Sequence, residues 1–324
     1  MKSPIKVLIT GATGCLAYSL IPMVANGQVY GKDQPIILHL MARRVSILEG
    51  VVMELKDCAY PLVRDVVVTS DEEIAFRDVD FVFMLASMPR REGMQRKDLL
   101  EANVKICAQH GRALACYAKQ TVKVLVGCNP TNTCALITAK YASSMIPAHN
   151  ITALTRLDHN RTVHQLAVKH DVNVKRVSRV VVWGNHSNTQ FPDVSNACID
   201  GQPVPFEGHD NMLMDTVIKR GYAVLAARNN ISALSAAKGA ADHMRDWWTG
   251  TDDWVSMGVI SDGNEYGVPE GLVYSFPVTI DRETKEWKVV DNIDPDERAV
   301  KLIKISADEL VAEKQEALIV LQNL

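Results

Sequence analysis

Short aliphatic and β-branched runs alternate with amphipathic stretches through the first half of the chain. The runs fall at 6–10, 36–41, 66–69, 81–85, 123–126 and 151–154, with helix-like stretches at 16–25, 47–58, 98–118 and 132–143. This alternation predicts parallel strands joined by right-handed crossovers, because a parallel neighbour is reached only by crossing a sheet face. Runs such as Phe81-Val82-Phe83-Met84-Leu85 carry apolar residues on both faces, as strands covered by helices on each side require. The expectation is an α/β protein with a doubly wound parallel sheet over 1–154.

After about residue 150 the rhythm changes. A helix over 158–170 precedes a strand over 179–183, and two helices follow near 212–226 and 231–248. The stretch 255–280 reads as strand pieces broken by Asp262-Gly263-Asn264 and Pro269-Glu270-Gly271. A closing helix is expected to open at a capping box, Ser306 with Glu309 three residues on. The second domain, 155–324, is therefore expected to be mixed α/β.

Composition narrows the functional classes. Lys plus Arg number 35 against 38 Asp plus Glu, a net charge of -3 that gives neither nucleic acid nor an anionic membrane a reason to bind. The seven cysteines form no CxxC pair and lie in apolar stretches, so they read as reduced, buried thiols. Strand-like sequence begins almost at the first residue, and no apolar stretch reaches the ~20 residues of a membrane span. A soluble cytoplasmic protein is expected.

Two constellations carry chemistry. The first strand runs into Gly11-Ala12-Thr13-Gly14-Cys15-Leu16-Ala17 and then a helix. Gly11 allows a tight turn, Gly14 lets backbone approach a pyrophosphate, and Ala17 permits close packing of helix on strand. Such a turn after the first strand of a βαβ unit indicates a dinucleotide, its phosphates at the helix N-terminus. Where the second strand ends, an acid would normally bond the adenosine ribose; Ala42-Arg43-Arg44 stands there instead, with Ser46 nearby. Two guanidiniums suit a 2′-phosphate, so NADP or NAD is expected, with NADP favoured; the alternative is that Arg43 and Arg44 form a solvated edge.

The second constellation joins Asp158-His159-Asn160-Arg161, at a helix start, to Trp183-Gly184-Asn185-His186-Ser187, after a strand. Hydride removal from a secondary alcohol needs a base for the hydroxyl proton, which an imidazole with a carboxylate on its other nitrogen supplies. His186 and Asp158 can fill those roles. Arg161, one turn from Asp158, can grip a substrate carboxylate through paired hydrogen bonds. His159 reads as structural. A cationic segment, Ser87 to Lys97, and Asn129-Pro130 lie where ligands bind in open α/β sheets.

GATGCLAYSL (11–20), GKDQPIILHL (31–40), SMPRREGMQRKDLLEANVKI (87–106), CNPTNT (128–133), LTRLDHNR (154–161), VVWGNHSNTQFPDV (181–194) and SMGVISDGNEYGVP (256–269) together resemble the malate dehydrogenases. The likeness is to the branch holding cytosolic animal and chloroplast NADP enzymes, and it spreads over nearly the whole chain. It implies a Rossmann-type lobe, a mixed α/β substrate domain, a dicarboxylate substrate and a homodimer. By motif it makes His186 the proton acceptor, Asp158 its partner and Arg161 the clamp on one carboxylate. Arg90 and Arg96 would bind the second carboxylate and polarise the carbonyl. Asn129 would meet the substrate or the nicotinamide ribose, Asn103 the cofactor, and Ser235 the substrate pocket. Two departures stand out: the missing acid at Ala42, and a shortened segment between Cys198 and Arg220. A lactate dehydrogenase or other 2-oxo-acid reductase would want a neutral residue in place of Arg90. A non-catalytic dinucleotide sensor would have no need of a base.

Overall fold

Strand sequences apolar on both faces can only sit inside a sheet, and the first unit of the chain is organised around such strands. The computed structural model describes residues 2–88 and 96–322, Arg96 by its backbone alone. Two compact units divide them, one of Met1–Ala153 with Glu313–Leu324, the other of Leu154–Ala312.

In the first unit the chain runs β1 (Ile5–Thr10), α1 (Cys15–Ala25), β2 (Ile36–Met41), α2 (Val45–Asp57), β3 (Val63–Thr69) and α3 (Glu72–Phe76). It continues through β4 (Phe81–Met84), α4 (Arg96–Tyr117), β5 (Lys123–Val126), α5 (Thr131–Ala142) and β6 (Ile151–Ala153). These strands are parallel and ordered β3-β2-β1-β4-β5-β6. The chain therefore reverses its direction of winding between β1 and β4, where β1 pairs with both β2 and β4. A crevice opens at such a switch point, and ligands of doubly wound sheets bind there. Val7, Leu8, Ile9, Val82, Phe83, Val124 and Leu125 are fully buried, as strands covered on both faces must be.

The second unit begins with α6 (Arg156–Lys169), then the short strands β7 (Val177–Ser178), β8 (Val181–Trp183), β9 (Phe191–Asp193), β10 (Cys198–Ile199) and β11 (Gln202–Pro203). Helices α7 (Asn211–Arg228) and α8 (Ala233–Thr249) follow, then β12 (Val255–Ile260), β13 (Val273–Ile280), β14 (Trp287–Val289) and α9 (Glu297–Gln322). β12, β13 and β14 pair antiparallel, and β8 pairs antiparallel with β9. Gly239 brings α8 against α6: a Cβ there would lie 2.8 Å from the Leu157 nitrogen.

Two expectations need revision. The last helix opens at Glu297, with the Asp296 carboxylate accepting from the Ala299 N–H at 2.8 Å. Ser306 and Glu309 therefore lie inside the helix, where the first-turn N–H groups that a capping box serves do not exist. The cysteines are free but not uniformly buried, since Cys15, Cys58 and Cys116 are exposed. The last stretch of α9 groups with the first unit, where the Thr133 hydroxyl donates to Glu313 at 2.8 Å. No helix among the described residues is long and apolar enough to cross a membrane.

Candidate active site

Asp158 sits in the first turn of α6 and is fully buried. One of its oxygens hydrogen-bonds His186 Nδ1 and the other accepts from an Arg161 guanidinium nitrogen at 3.0 Å. A carboxylate taken out of water is sustained only by partners of this kind. The His186 ring is 21% exposed. Burial pushes its pKa down, but the charge and hydrogen bond of Asp158 outweigh this and leave it above the ordinary imidazole value. Burial lowers the Arg161 pKa, and Arg220 adds to the effect against the opposing pull of Asp158. Arg161 Nε is buried and has no hydrogen-bond partner among the described residues. An unpaired buried guanidinium nitrogen is costly, and a ligand carboxylate would satisfy it.

The loop carrying His186 is held from behind by α9. Gly184, at φ +98°, follows β8 and exchanges backbone hydrogen bonds with Ser275 at 3.1 and 3.0 Å. A Cβ at Gly184 would stand 2.1 Å from the Ser306 hydroxyl, so only glycine fits. Ser306 Oγ accepts from the Asn185 N–H at 2.8 Å. One Glu309 oxygen accepts from Asn185 Nδ2 at 2.9 Å, from Thr189 Oγ1 at 2.6 Å and from the Ser187 hydroxyl. Sequence reasoning missed this role of Ser306 and Glu309, because their spacing matches a cap and nothing local ties them to residue 186. His159 is structural, as expected: it is buried, its Nδ1 lies 3.0 Å from Ser256 Oγ, and burial followed by the Arg156 charge keeps its pKa well below the ordinary value.

In the first unit, the turn after β1 has the features a dinucleotide needs. Gly11 adopts φ +65°, and a Cβ on it would come within 2.7 Å of Ala86 Cα. Thr10 Oγ1 accepts from the Leu85 and Ala86 N–H groups, both at 3.1 Å, tying the ends of β1 and β4 together. Gly14 caps α1 without a side-chain hydrogen bond, and a Cβ there would meet only the Gly11 carbonyl oxygen within 4 Å. The N-terminus of α1 therefore has room for a phosphate, and Ala17 packs buried beneath.

Ala42 is buried at the end of β2, while Arg43 and Arg44 are exposed just before α2. The Ala12 N–H donates to the Met41 carbonyl at 3.1 Å, so this corner adjoins the glycine turn. Neither arginine makes an ion pair among the described residues. Asn103, buried on α4, accepts from the Met88 N–H and donates to the Asn129 carbonyl, both at 2.7 Å. It thus sets the backbone on which Asn129 is displayed; Asn129 is exposed and its bond to Pro130 is cis. Ser235 lies exposed on the first turn of α8, its hydroxyl 3.4 Å from the Ser232 carbonyl, and does not hydrogen-bond the Asp158–His186–Arg161 group. Arg90 lies outside the described residues, as does the Arg96 side chain.

Comparison with known proteins matches this geometry to a family. Residues 5–152 match the lactate/malate dehydrogenase NAD binding domain and residues 155–320 its alpha/beta C-terminal domain. The chain is 50% identical to a cytoplasmic malate dehydrogenase of Gallus gallus and 49% to that of Homo sapiens, each over 98% of both chains. It also resembles the crystal structure of a malate dehydrogenase from Naegleria fowleri, with a TM-score of 0.93, 38% identity and 99% of both chains covered. A Trichomonas vaginalis lactate dehydrogenase in complex with NADH and oxamate superposes with a TM-score of 0.92 at 34% identity, over 99% of this chain and 100% of that one. A glycine turn at the switch of a parallel sheet, an imidazole paired with a buried carboxylate and full-length likeness to these enzymes agree: the chain belongs to the lactate/malate dehydrogenase family.

Proposed function

We propose that this protein is a cytoplasmic malate dehydrogenase, which passes a hydride reversibly between (S)-malate and NAD(P)+ to give oxaloacetate and NAD(P)H. The observation that carries the chemistry is the buried Asp158 shared by His186 and Arg161. With Nδ1 committed to Asp158, proton exchange with the substrate hydroxyl falls to His186 Nε2. Asp158 fixes the tautomer and stabilises the imidazolium that forms. Arg161 offers Nε and its guanidinium neighbours to the carboxylate beside the reacting carbon. By the family motif, Arg90 grips the distal carboxylate and Arg96 polarises the carbonyl. When bound, the nicotinamide supplies the acceptor for the hydride. The free backbone N–H groups after Gly14 would hold its phosphates, and Asn129, displayed by Asn103, would meet its ribose.

Relatedness favours malate over lactate: whole-chain identity reaches 50% with a malate enzyme, against 34% with the lactate enzyme of similar fold. For the cofactor, NADP(H) is favoured at least equally with NAD(H). Ala42 removes the ribose-binding acid, while Arg43 and Arg44 are exposed beside the glycine turn and make no ion pair among the described residues. A homodimer is the expected assembly, by likeness to the family. The deciding experiment follows NADH and NADPH oxidation with oxaloacetate and with pyruvate. Rapid oxaloacetate reduction and poor pyruvate reduction are expected, with Arg90→Gln shifting the balance toward pyruvate. Equal use of both acids by the wild type would overturn the malate assignment.

A further inference from the structure

We propose that Cys107, Cys128 and Cys134 form a three-sulfur binding site for a soft monovalent cation, copper(I). The thiols converge from α4, from the turn after β5 and from the first turn of α5. Cys107 and Cys134 are fully buried and Cys128 is 2% exposed. Their sulfurs all lie within 4.8 Å of one another, with Cys107 and Cys128 3.4 Å apart. A metal–thiolate bond of about 2.3 Å, the zinc value, spaces three sulfurs around a trigonal ion by about 4 Å. One separation of 3.4 Å and an upper limit of 4.8 Å are compatible with that spacing, so seating an ion asks only for small side-chain adjustments.

Coordination number selects the ion. Among the described residues no fourth His, Cys or carboxylate joins the group. The neighbouring Thr138 hydroxyl already donates to the Cys134 carbonyl at 2.9 Å. Zinc in a structural site takes four ligands, whereas a soft all-thiolate set suits copper(I). A helix start beside the cluster adds a favourable dipole for bound thiolates. Helix α5 begins three residues after Cys128, so the positive end of its dipole faces the cluster. Binding displaces thiol protons to solvent as copper–sulfur bonds form. Copper stays in the +1 state, and no oxidant or reductant takes part.

The test uses the full-length protein, anaerobic, with the exposed thiols removed (Cys15→Ser, Cys58→Ser, Cys116→Ser). Copper(I) is delivered from a chromogenic chelator, whose absorbance reports transfer, and X-ray absorption counts the sulfur neighbours. One copper(I) per chain with three sulfur ligands is expected. Losing a partner behind a metal ligand already costs 10–100-fold in affinity, so Cys128→Ala or Cys134→Ala should weaken retention roughly 100-fold or more. Cys198→Ala, which alters the remaining buried thiol, should change nothing. Retention unaffected by Cys128→Ala and Cys134→Ala, or copper bound by two sulfurs, would overturn the proposal and leave the cysteines as core filler. Circular dichroism checks that each variant folds; where one does not, the sulfur count on the background protein decides alone.

Discussion

At the residue scale, the Asp158–His186 pair makes a signed prediction about pH. Asp158 holds the His186 pKa above its ordinary value against burial and Arg161. Malate oxidation needs the neutral ring, so kcat/KM should rise with pH through that raised value, and oxaloacetate reduction should fall through it. Asp158→Asn removes the raising influence and leaves the lowering ones, so both limbs should move to lower pH as kcat drops. His186→Asn should cost on the order of 10²–10⁴-fold in kcat with NADH binding kept. A variant retaining a third of wild-type turnover would remove the ring from the mechanism. The cofactor prediction belongs at this scale too. Charge-assisted contacts to a 2′-phosphate amount to roughly 10- to 150-fold in affinity. Ala42→Asp with Arg43 and Arg44 made neutral should therefore move the NADPH:NADH ratio of kcat/KM toward NADH by about that factor. A wild-type preference for NADH of about tenfold or more would sink the phosphate reading.

At the scale of elements, a strand, a loop and a helix distant in sequence cooperate to place one ring. β8 ends at Trp183, and beyond Gly184 the Glu309 carboxylate on α9 gathers donors from Asn185, Ser187 and Thr189 around His186. Glu309→Ala leaves those donors without their acceptor, and the loop is then free to drift. Misplacement of about 1 Å at a reacting centre costs up to about 100-fold. The expected result is a fall in kcat of roughly 10–100-fold with cofactor affinity unchanged, and partial rescue by Glu309→Gln, which keeps an acceptor oxygen. Equal losses in kcat and NADH binding, without rescue, would mean that Glu309 only supports the fold.

Over the whole molecule, buried histidines set the response to acid. Burial lowers His110 on α4 to about 4; it lowers His243 on α8 to about 3, with help from Arg156. Both are neutral in the fold and free to take a proton once unfolded. Their stabilisation is present above the unfolded value near 6.5 and is lost as pH falls toward the folded values. For His110 that amounts to roughly 3 kcal/mol. His186, with its raised value, acts in the opposite sense: its contribution is full below the unfolded value and is lost as pH rises through the folded one. Urea unfolding at pH 7 and pH 4.5 should show a fall of several kcal/mol, reduced in His110→Gln. A flat profile would show that neither ring titrates with unfolding.

The sequence alone determined the parallel sheet of the first unit, the glycine turn at its switch point and the pairing of Asp158 with His186. Each is written in local terms: apolar runs of fixed length, a glycine where φ is positive, and residue types matched to a reaction. Short elements stayed invisible to it, since strands such as β10, of two residues, are too brief for alternation to register and α3 spans a single turn. Only the tertiary structure decided what Ser306 and Glu309 do. Their spacing satisfies a capping rule, yet Asp296 caps the helix ten residues earlier. Asn185 and Ser306, 121 positions apart in the chain, close into a hydrogen bond that no local pattern encodes. The convergence of Cys107, Cys128 and Cys134 is of the same kind. Periodicity shows which face of an element turns inward; which residue of another element it meets there is settled by packing.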